Sequence, residues 1–452
     1  MKILMTVLQF PPFGGAAVSR IYSFAKYWSR AGHDVTILTP KKYAFMGQTD
    51  YIPEGYASET FKVIEVPYTS PLLVRGRGLG RDIGESVSSE DTSARWLRKL
   101  RSGLRKLRRN VIGSSIDVHR IWQSALTQEA VRLLEQEKFD VLFSSFSPQA
   151  SHAVASAAKA YDPSLLWVAD YRDLWTGNHL LRMHPLVAFF QKRKECRLLK
   201  SADMLTTVSG PLAEYLRQLH QKDVEVIFNG YDHEEWTALS QAPFFPSDGI
   251  FRIVYTGTIY EGSRDPSPLF EAIKDLDRAG EVTPDRLQIY FYGDSANVAD
   301  IARKYRVLSY IQEGGMLGKQ DALRTQRDAN LLLFLESAPT NGSLSAQGVL
   351  TSKIFEYMAS GTPVLAVGIE EDSPIGKFLQ QTNSGETAGR NVDKIKAILL
   401  QYMQSAHKTK MKERALIREY RRENQAKRLE RKIVDMLEER RKQLGRTRET
   451  IE

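Results

Sequence analysis

The opening of the chain restricts its fold more than any other stretch. An apolar run, Ile3 to Leu8, leads into a turn over Gln9 to Gly15, an amphipathic segment spans Ala16 to Ala31, and after Gly32 a second apolar run covers Val35 to Thr39. Strand, glycine-bearing turn, helix and strand in that order make a βαβ unit, whose strands lie parallel because the helix carries the chain back to its starting edge. The alternation then continues. Phe61 to Val66, Val141 to Ser144 and Leu165 to Ala169 read as further strands, and Ser124 to Glu137 and Ser151 to Lys159 as helices. A second series follows the proline-containing segment Gln241 to Asp248, with strands over Arg252 to Thr256, Gln288 to Tyr292, Asn330 to Phe334 and Val364 to Ala366. The expectation is an α/β protein with two mostly parallel sheets, each covered on both faces. Residues 1–240 and 241–410 form the two domains, and the charged segment 411–452 is helical and packs back toward the first.

At 452 residues the chain exceeds one hydrophobic core, which supports this division. Its 42% hydrophobic and 26% charged residues exclude wholesale disorder and fibrous repeats. A single cysteine, Cys196, excludes an intrachain disulfide and a thiolate metal cluster, and fits a reducing compartment. Lys2 and the apolar run after it resemble an export signal only superficially, because Pro11 and Pro12 follow at once without a small-residue cleavage site. Leu331 to Leu335 and the other apolar runs are far shorter than the roughly 20 residues that span a bilayer. The net charge of +9 suggests an anionic partner.

Two glycine-bearing loops attract attention. Gly14 and Gly15, in FPPFGGAAVSR, stand where a backbone can approach a phosphate or an oxygen-rich sugar, although a tight turn alone would use the same residues. A dinucleotide fingerprint is excluded by the glycine spacing and by Pro40, Lys41 and Lys42 where an acid should follow the second strand. The denser signal is GVLTSKIFEYMASGTPVLAVG, Gly348 to Gly368. A polar loop there enters a helix that stops at Gly361, so Gly348, Leu350 and Thr351 border a helix start whose amides suit a diphosphate. Glu356 sits one turn inside, where a carboxylate can accept from a ribose diol, and Lys353 lies three residues earlier. A solvated Lys353–Glu356 pair is the structural alternative.

These segments together resemble the family-4 retaining glycosyltransferases of GT-B fold over nearly all of residues 1–410. The supporting motifs are PPFGG, DYRDLW (Asp170 to Trp175), ADMLTTVS (Ala202 to Ser209), IFNGYD (Ile227 to Asp232), YTGTIY (Tyr255 to Tyr260) and SKIFEYMASGTPVLA. The resemblance implies two Rossmann-like domains facing a central cleft, with C-terminal helices. It makes Glu356 similar to the second glutamate of the family's paired-glutamate motif, which holds the donor ribose. Gly348 stands where the first glutamate would be, as in a subgroup with Ser-Lys before the helix. Thr258 occupies the usual place of a phosphate-binding arginine, leaving Arg264, Lys319 and Lys353 as sources of positive charge for the leaving diphosphate. A surface ion pair with Glu261 or Asp265 is the alternative for Arg264. Arg172 and Asp173, at the end of a strand, take the place of a histidine that touches the transferred sugar, and a salt-linked strand end is again the alternative. Arg172, Asp173 and Arg264 are thus the candidate catalytic residues.

The resemblance further implies attack on the face from which the diphosphate leaves, without a side-chain base. No Asp-x-Asp motif is placed to hold a metal, so transfer without metal or other cofactor is expected. A UDP-sugar is the first donor candidate by family frequency. The expected acceptor is a glycan or lipid-linked saccharide in surface-polysaccharide assembly. A small soluble metabolite, or a non-catalytic sugar-nucleotide-binding scaffold, are the alternatives. Residues 95–111, RWLRKLRSGLRKLRRNV, place eight basic residues around an apolar stripe of Trp96, Leu100, Leu104, Leu107 and Val111. This suits an anionic membrane surface, though ordinary packing or nucleic-acid phosphates are alternatives; no nucleic-acid-binding motif accompanies it. The expected location is cytoplasmic, peripheral on the inner face of the cell membrane.

Overall fold

A computed structural model describes residues 1–43, 51–68, 120–178, 184–259, 264–294, 297–336, 350–405 and 415–449. The chain divides into two compact units, one containing Met1–Phe228 and Ala426–Glu452, the other Asn229–Ser343 and Gln347–Gln425.

The first unit runs β1 (Lys2–Thr6), α1 (Ala16–Arg30), β2 (Asp34–Pro40), β3 (Lys62–Val66), α2 (Arg120–Gln136), β4 (Val141–Phe146), α3 (Gln149–Tyr161), β5 (Leu166–Tyr171), α4 (Pro185–Leu198), β6 (Met204–Thr207), α5 (Gly210–His220) and β7 (Val224–Val226). These seven strands form one parallel sheet in the order β3-β2-β1-β4-β5-β6-β7. Strands such as β4 and β5 are buried along their whole length, which is why they read as continuous apolar runs instead of alternating ones. One face packs Trp122, Leu126, Val154 and Trp167 together, and the other packs Phe24, Trp28, Phe143 and Val168.

The second unit runs α6 (His233–Thr237), β8 (Phe251–Thr256), α7 (Ser267–Arg278), β9 (Leu287–Tyr292), α8 (Val298–Tyr305), β10 (Ile311–Gly315), α9 (Lys319–Asp328), β11 (Leu331–Leu335), α10 (Ser352–Ser360), β12 (Val364–Val367), α11 (Pro374–Thr382), β13 (Gly385–Gly389), α12 (Val392–Gln404) and α13 (Ala415–Arg418). Its six strands, again parallel, are ordered β10-β9-β8-β11-β12-β13. A last helix, α14 (Arg422–Glu449), lays Ala426, Leu429 and Ile433 on the α1 face of the first sheet, where Trp28 Nε1 donates to the Ala426 carbonyl at 3.2 Å.

In each sheet the strand order reverses between two neighbours, β1 and β4 in the first and β8 and β11 in the second. At such a reversal the loops leave the two strands in opposite directions, and the carboxyl ends of the strands beside it are the usual ligand position in open α/β sheets.

A buried ion pair stands at that edge of the first sheet. Arg20 of α1 meets Asp170 of β5 at 2.7 Å, with the two side chains 2% and 0% exposed. Ser145 of β4 and Thr206 of β6 donate to the same carboxylate at 2.8 and 2.7 Å, while Arg20 also donates to the Ile227 carbonyl at 2.7 Å. Burial pushes the Asp170 carboxyl up, but the Arg20 charge and the donated hydrogen bonds hold it below its ordinary value. Asp170 is therefore a structural clamp on three strands and a helix. We predict that Asp170→Ala destabilises the first unit by about 3–5 kcal/mol, because Arg20 is left buried without its counter-charge. Urea unfolding followed by a first-unit probe checks this; a loss below about 1 kcal/mol refutes the clamp.

Candidate functional site

The second unit gathers its charged groups where β8 and β11 end. β8 leads into Gly257, whose φ of +138° lies in a region that other residues rarely adopt. A Cβ at Gly257 would fall 2.2 Å from Lys353 Nζ, so the missing side chain is what lets this lysine lie against the backbone. The ammonium also stacks over the Tyr255 ring, 4.2 Å from its centroid. Arg264 reaches the same turn and donates to the Thr258 carbonyl at 2.8 Å. Glu336, the first polar residue after β11, completes the group: burial pushes its carboxyl up against the downward pull of Arg264 and Lys353. Its Oε2 is buried with no hydrogen-bond partner among the described residues.

Lys353 takes the opposite shift. Burial, reinforced by the Arg264 charge, lowers its ammonium from the ordinary lysine value to about 7, against the smaller upward pull of Glu336 and Glu356. A lysine tuned this way changes charge near neutrality.

One turn along α10, Glu356 hydrogen-bonds Lys319 from the start of α9, and Lys319 also lies 3.5 Å from Glu235 of α6. Burial raises the Glu356 carboxyl, but Lys319, followed by Arg422 and Lys353, holds it below its ordinary range. Lys319 is pulled down by burial and held above its ordinary value by Glu356 and Glu235. Glu356 is therefore kept ionised. The helix itself begins without a side-chain cap from Thr351, whose buried Oγ1 has no partner among the described residues. Behind it, Tyr357 Oη accepts from the Thr256 amide at 2.9 Å, and Gln326 Nε2 donates to Thr256 Oγ1 at 3.0 Å, tying α10 and α9 to the end of β8. A helix start without a side-chain cap, beside two basic side chains and an ionised carboxylate, can receive a ligand that carries both negative charge and hydroxyl donors.

Residues 13–235 match the family model described as Glycosyltransferase Family 4. The protein is a glycosyltransferase. Its fold is similar to the N-terminal domain of Candida albicans trehalose-6-phosphate phosphatase (12% identity, 96% of each chain covered, TM-score 0.56). It is also similar to sucrose-phosphate synthase from Thermosynechococcus elongatus, at 13% identity with 100% of this chain and 99% of that one covered and a TM-score of 0.53. AviGT4, described as a glycosyltransferase involved in avilamycin A biosynthesis, matches at 14% identity, 96% and 98% coverage and a TM-score of 0.50. The two parallel sheets with their flanking helices are those of the GT-B fold. No protein of curated function matches the sequence.

Of the residues singled out in the glycosyltransferase sequence, Thr258, Arg264, Lys353, Glu356, Lys319, Leu350 and Thr351 all belong to the second unit. Lys353 and Arg264 share the Gly257–Thr258 turn, and Lys319 meets Glu356. Leu350 is buried, and its carbonyl accepts from Asn229 at 3.5 Å. Gly348 lies outside the described residues. Asp265, a sequence neighbour of Arg264, pairs with Arg390 at 2.7 Å.

Gly14, Gly15, Arg172 and Asp173 belong to the first unit. Gly15 caps α1 with a φ of +101°, and both glycines are exposed on the loop after β1. Arg172 and Asp173 follow β5 and pair with each other at 2.9 Å; Arg172 Nε is buried and has no partner among the described residues. Trp175, in the same motif, is a core residue stacked on Phe146 at 5.9 Å.

Gly257, Tyr255, Glu336 and Glu235 were not legible as site residues. Glu336 did leave a signal, because the first acid after an apolar strand of a parallel sheet stands at the ligand-binding edge.

Proton linkage ties the charge state of Lys353 to stability. Between about pH 7 and 10.5 the unfolded chain holds a proton on Lys353 that the folded chain has lost, so this residue's contribution to stability rises with pH across that window. Competitive acetylation read by mass spectrometry should titrate Lys353 near 7. Gly257→Ala, by evicting the ammonium toward water, should move the midpoint upward by about one unit or more. A wild-type midpoint near that of surface lysines refutes the arrangement.

Proposed function

We propose that the protein transfers a sugar, with retention of anomeric configuration, from a nucleoside diphosphate donor to a glycan or lipid-linked saccharide during assembly of a surface polysaccharide. The observation that carries the donor half is the pair of basic side chains, Lys353 and Arg264, packed on the Gly257–Thr258 turn. In this reading the diphosphate lies against them and the first amides of α10, and Glu356, held ionised by Lys319, accepts from the ribose diol. Because Thr258 replaces the usual arginine, Lys353 takes over part of its task. The acceptor half rests on the family resemblance and on the basic stretch 95–111, which lies outside the described residues.

During transfer the bond from the anomeric carbon to the β-phosphate oxygen breaks, and its electron pair leaves with the diphosphate. The acceptor oxygen bonds to that carbon from the same face and passes its proton to the departing phosphate oxygen. Charge grows on the diphosphate along this path, so Lys353 and Arg264 stabilise the transition state more than the ground state. Arg172 and Asp173 are proposed to contact the transferred sugar or the acceptor.

Melting of the protein with uridine, guanosine and thymidine diphosphate sugars identifies the donor, with the uridine series expected to stabilise most. Glu356→Gln should then weaken that donor by about 1.5–3 kcal/mol, the scale of a hydrogen bond to a charged group, while the free protein stays folded with a lowered melting temperature, because Lys319 keeps only Glu235 as a counter-charge. Equal donor affinity in the variant removes the ribose assignment.

Turnover separates the remaining roles. Arg264→Ala should depress the transfer rate more than donor affinity, whereas Arg172→Ala and Asp173→Asn should depress transfer with near-normal nucleotide binding. The anomeric coupling of the product, read by proton NMR, decides retention: an inverted product overturns the proposed path.

A further inference from the structure

Helix α4 turns an unusual surface outward. Leu186, Phe189 and Phe190 are 65%, 52% and 66% exposed, three of the large apolar side chains left in solvent among the described residues. Leu186, Phe189, Phe190, Arg193 and Arg197 recur at i, i+3, i+4, i+7 and i+11, which places them on one stripe of the helix. Glu195, on the opposite side, is 1% exposed and bound by the Tyr171 hydroxyl at 2.9 Å. That buried contact fixes which face of α4 points out. The helix therefore turns outward apolar side chains in its N-terminal half and cations in its C-terminal half, whereas a core-facing amphipathic helix would bury its apolar stripe.

The charges on this surface have one sign. Lys192, Arg193, Lys194, Arg197 and Lys200 are all exposed, and the one acid between His184 and Lys200 is the inward-facing Glu195. Arg193 lies over the Phe189 ring at 5.1 Å, so cation and aromatic ring act as one patch. His184 accepts from the Leu186 amide at 3.3 Å and Pro185 starts the first turn, which holds the apolar end of the helix in place.

We propose that this face of α4 docks on a lipid bilayer rich in anionic lipid. Leu186, Phe189 and Phe190 enter the boundary between headgroups and acyl chains, and Lys192, Arg193 and Arg197 meet the lipid phosphates. Charge complementarity selects this occupant: a second copy meeting the first through the same face would set Lys192, Arg193 and Arg197 against their own copies, whereas an anionic surface neutralises them. No helix among the described residues is long and apolar enough to cross a membrane, so the contact is interfacial. The inference does not depend on whether the sugar acceptor is lipid-linked.

Cosedimentation of the full chain with vesicles of phosphatidylcholine alone, or with about one third phosphatidylglycerol, tests it. The wild-type protein should bind the anionic vesicles and lose binding as salt rises. Phe189→Ser with Phe190→Ser should lower the partition coefficient at least about tenfold. Lys192→Gln with Arg193→Gln and Arg197→Gln should lower it roughly 100-fold, about fivefold per cation removed. Both variants should keep the wild-type circular dichroism and melting temperature, since these side chains are exposed. A third variant, Arg98→Gln with Lys99→Gln, Arg105→Gln and Lys106→Gln, separates α4 from the basic stretch. Absence of wild-type binding to anionic vesicles overturns the proposal. So does loss of binding in the third variant with full binding in both α4 variants. A change of oligomeric state on size exclusion in the Phe189/Phe190 variant, with vesicle binding intact, overturns it in favour of a second copy.

Discussion

Parallel pairing is the constraint on which the rest of this structure depends. A parallel strand cannot be joined to its neighbour by a tight turn, so each connection must cross a face of the sheet, and helices bury both faces. All strands then end at the same edge. Polar residues and a turn glycine collect there, Asp170 and Arg172 in one unit and Gly257, Thr258 and Glu336 in the other. Where the strand order reverses, the departing loops separate and leave room for a ligand.

The two edges use their charges differently. In the first unit, Asp170 is saturated by Arg20, Ser145 and Thr206, and its role is to hold strands and helix together. In the second unit the charges are poorly matched: Lys353 has been driven toward neutrality and Glu336 toward protonation, although they lie near each other. Groups satisfied by one another have little reason to shift in those directions. A bound anion would favour the charged form of Lys353, which is why this edge, and not the first, underlies the proposed diphosphate site.

Much of the architecture was legible along the chain. Runs such as Leu331 to Leu335 and Val141 to Ser144 are buried on both sides, so their composition alone marks them. β10 and β13 escaped notice because their sequences, IQEGG and GETAG, lie at sheet edges where burial no longer demands apolar residues; four of the five β10 residues are exposed. The helix carrying Glu356 was readable from its glycine stop, and Gly361 does end it with a φ of +72°. The pairing of Glu356 was not. Sequence spacing joins it to Lys353 within one helical turn, but Lys353 instead fills the space vacated by Gly257, and Lys319 supplies the partner.

By itself the sequence determined the two parallel α/β sheets and the position of the chemistry-bearing motifs at the ends of their strands. Hydrophobic periodicity and turn residues are local signals, set by the backbone geometry of a few neighbouring residues. Only the tertiary structure decided which charges meet, that Asp170 is buried against Arg20, and that Phe189 and Phe190 lie outside the core. Those outcomes depend on which face of an element its neighbours cover, and on contacts such as Glu356 with Lys319 or Arg20 with Asp170, between residues far apart in the chain. A pattern of local preferences does not encode them: an ion pair forms where packing brings two groups within reach and excludes the water that would otherwise solvate each separately.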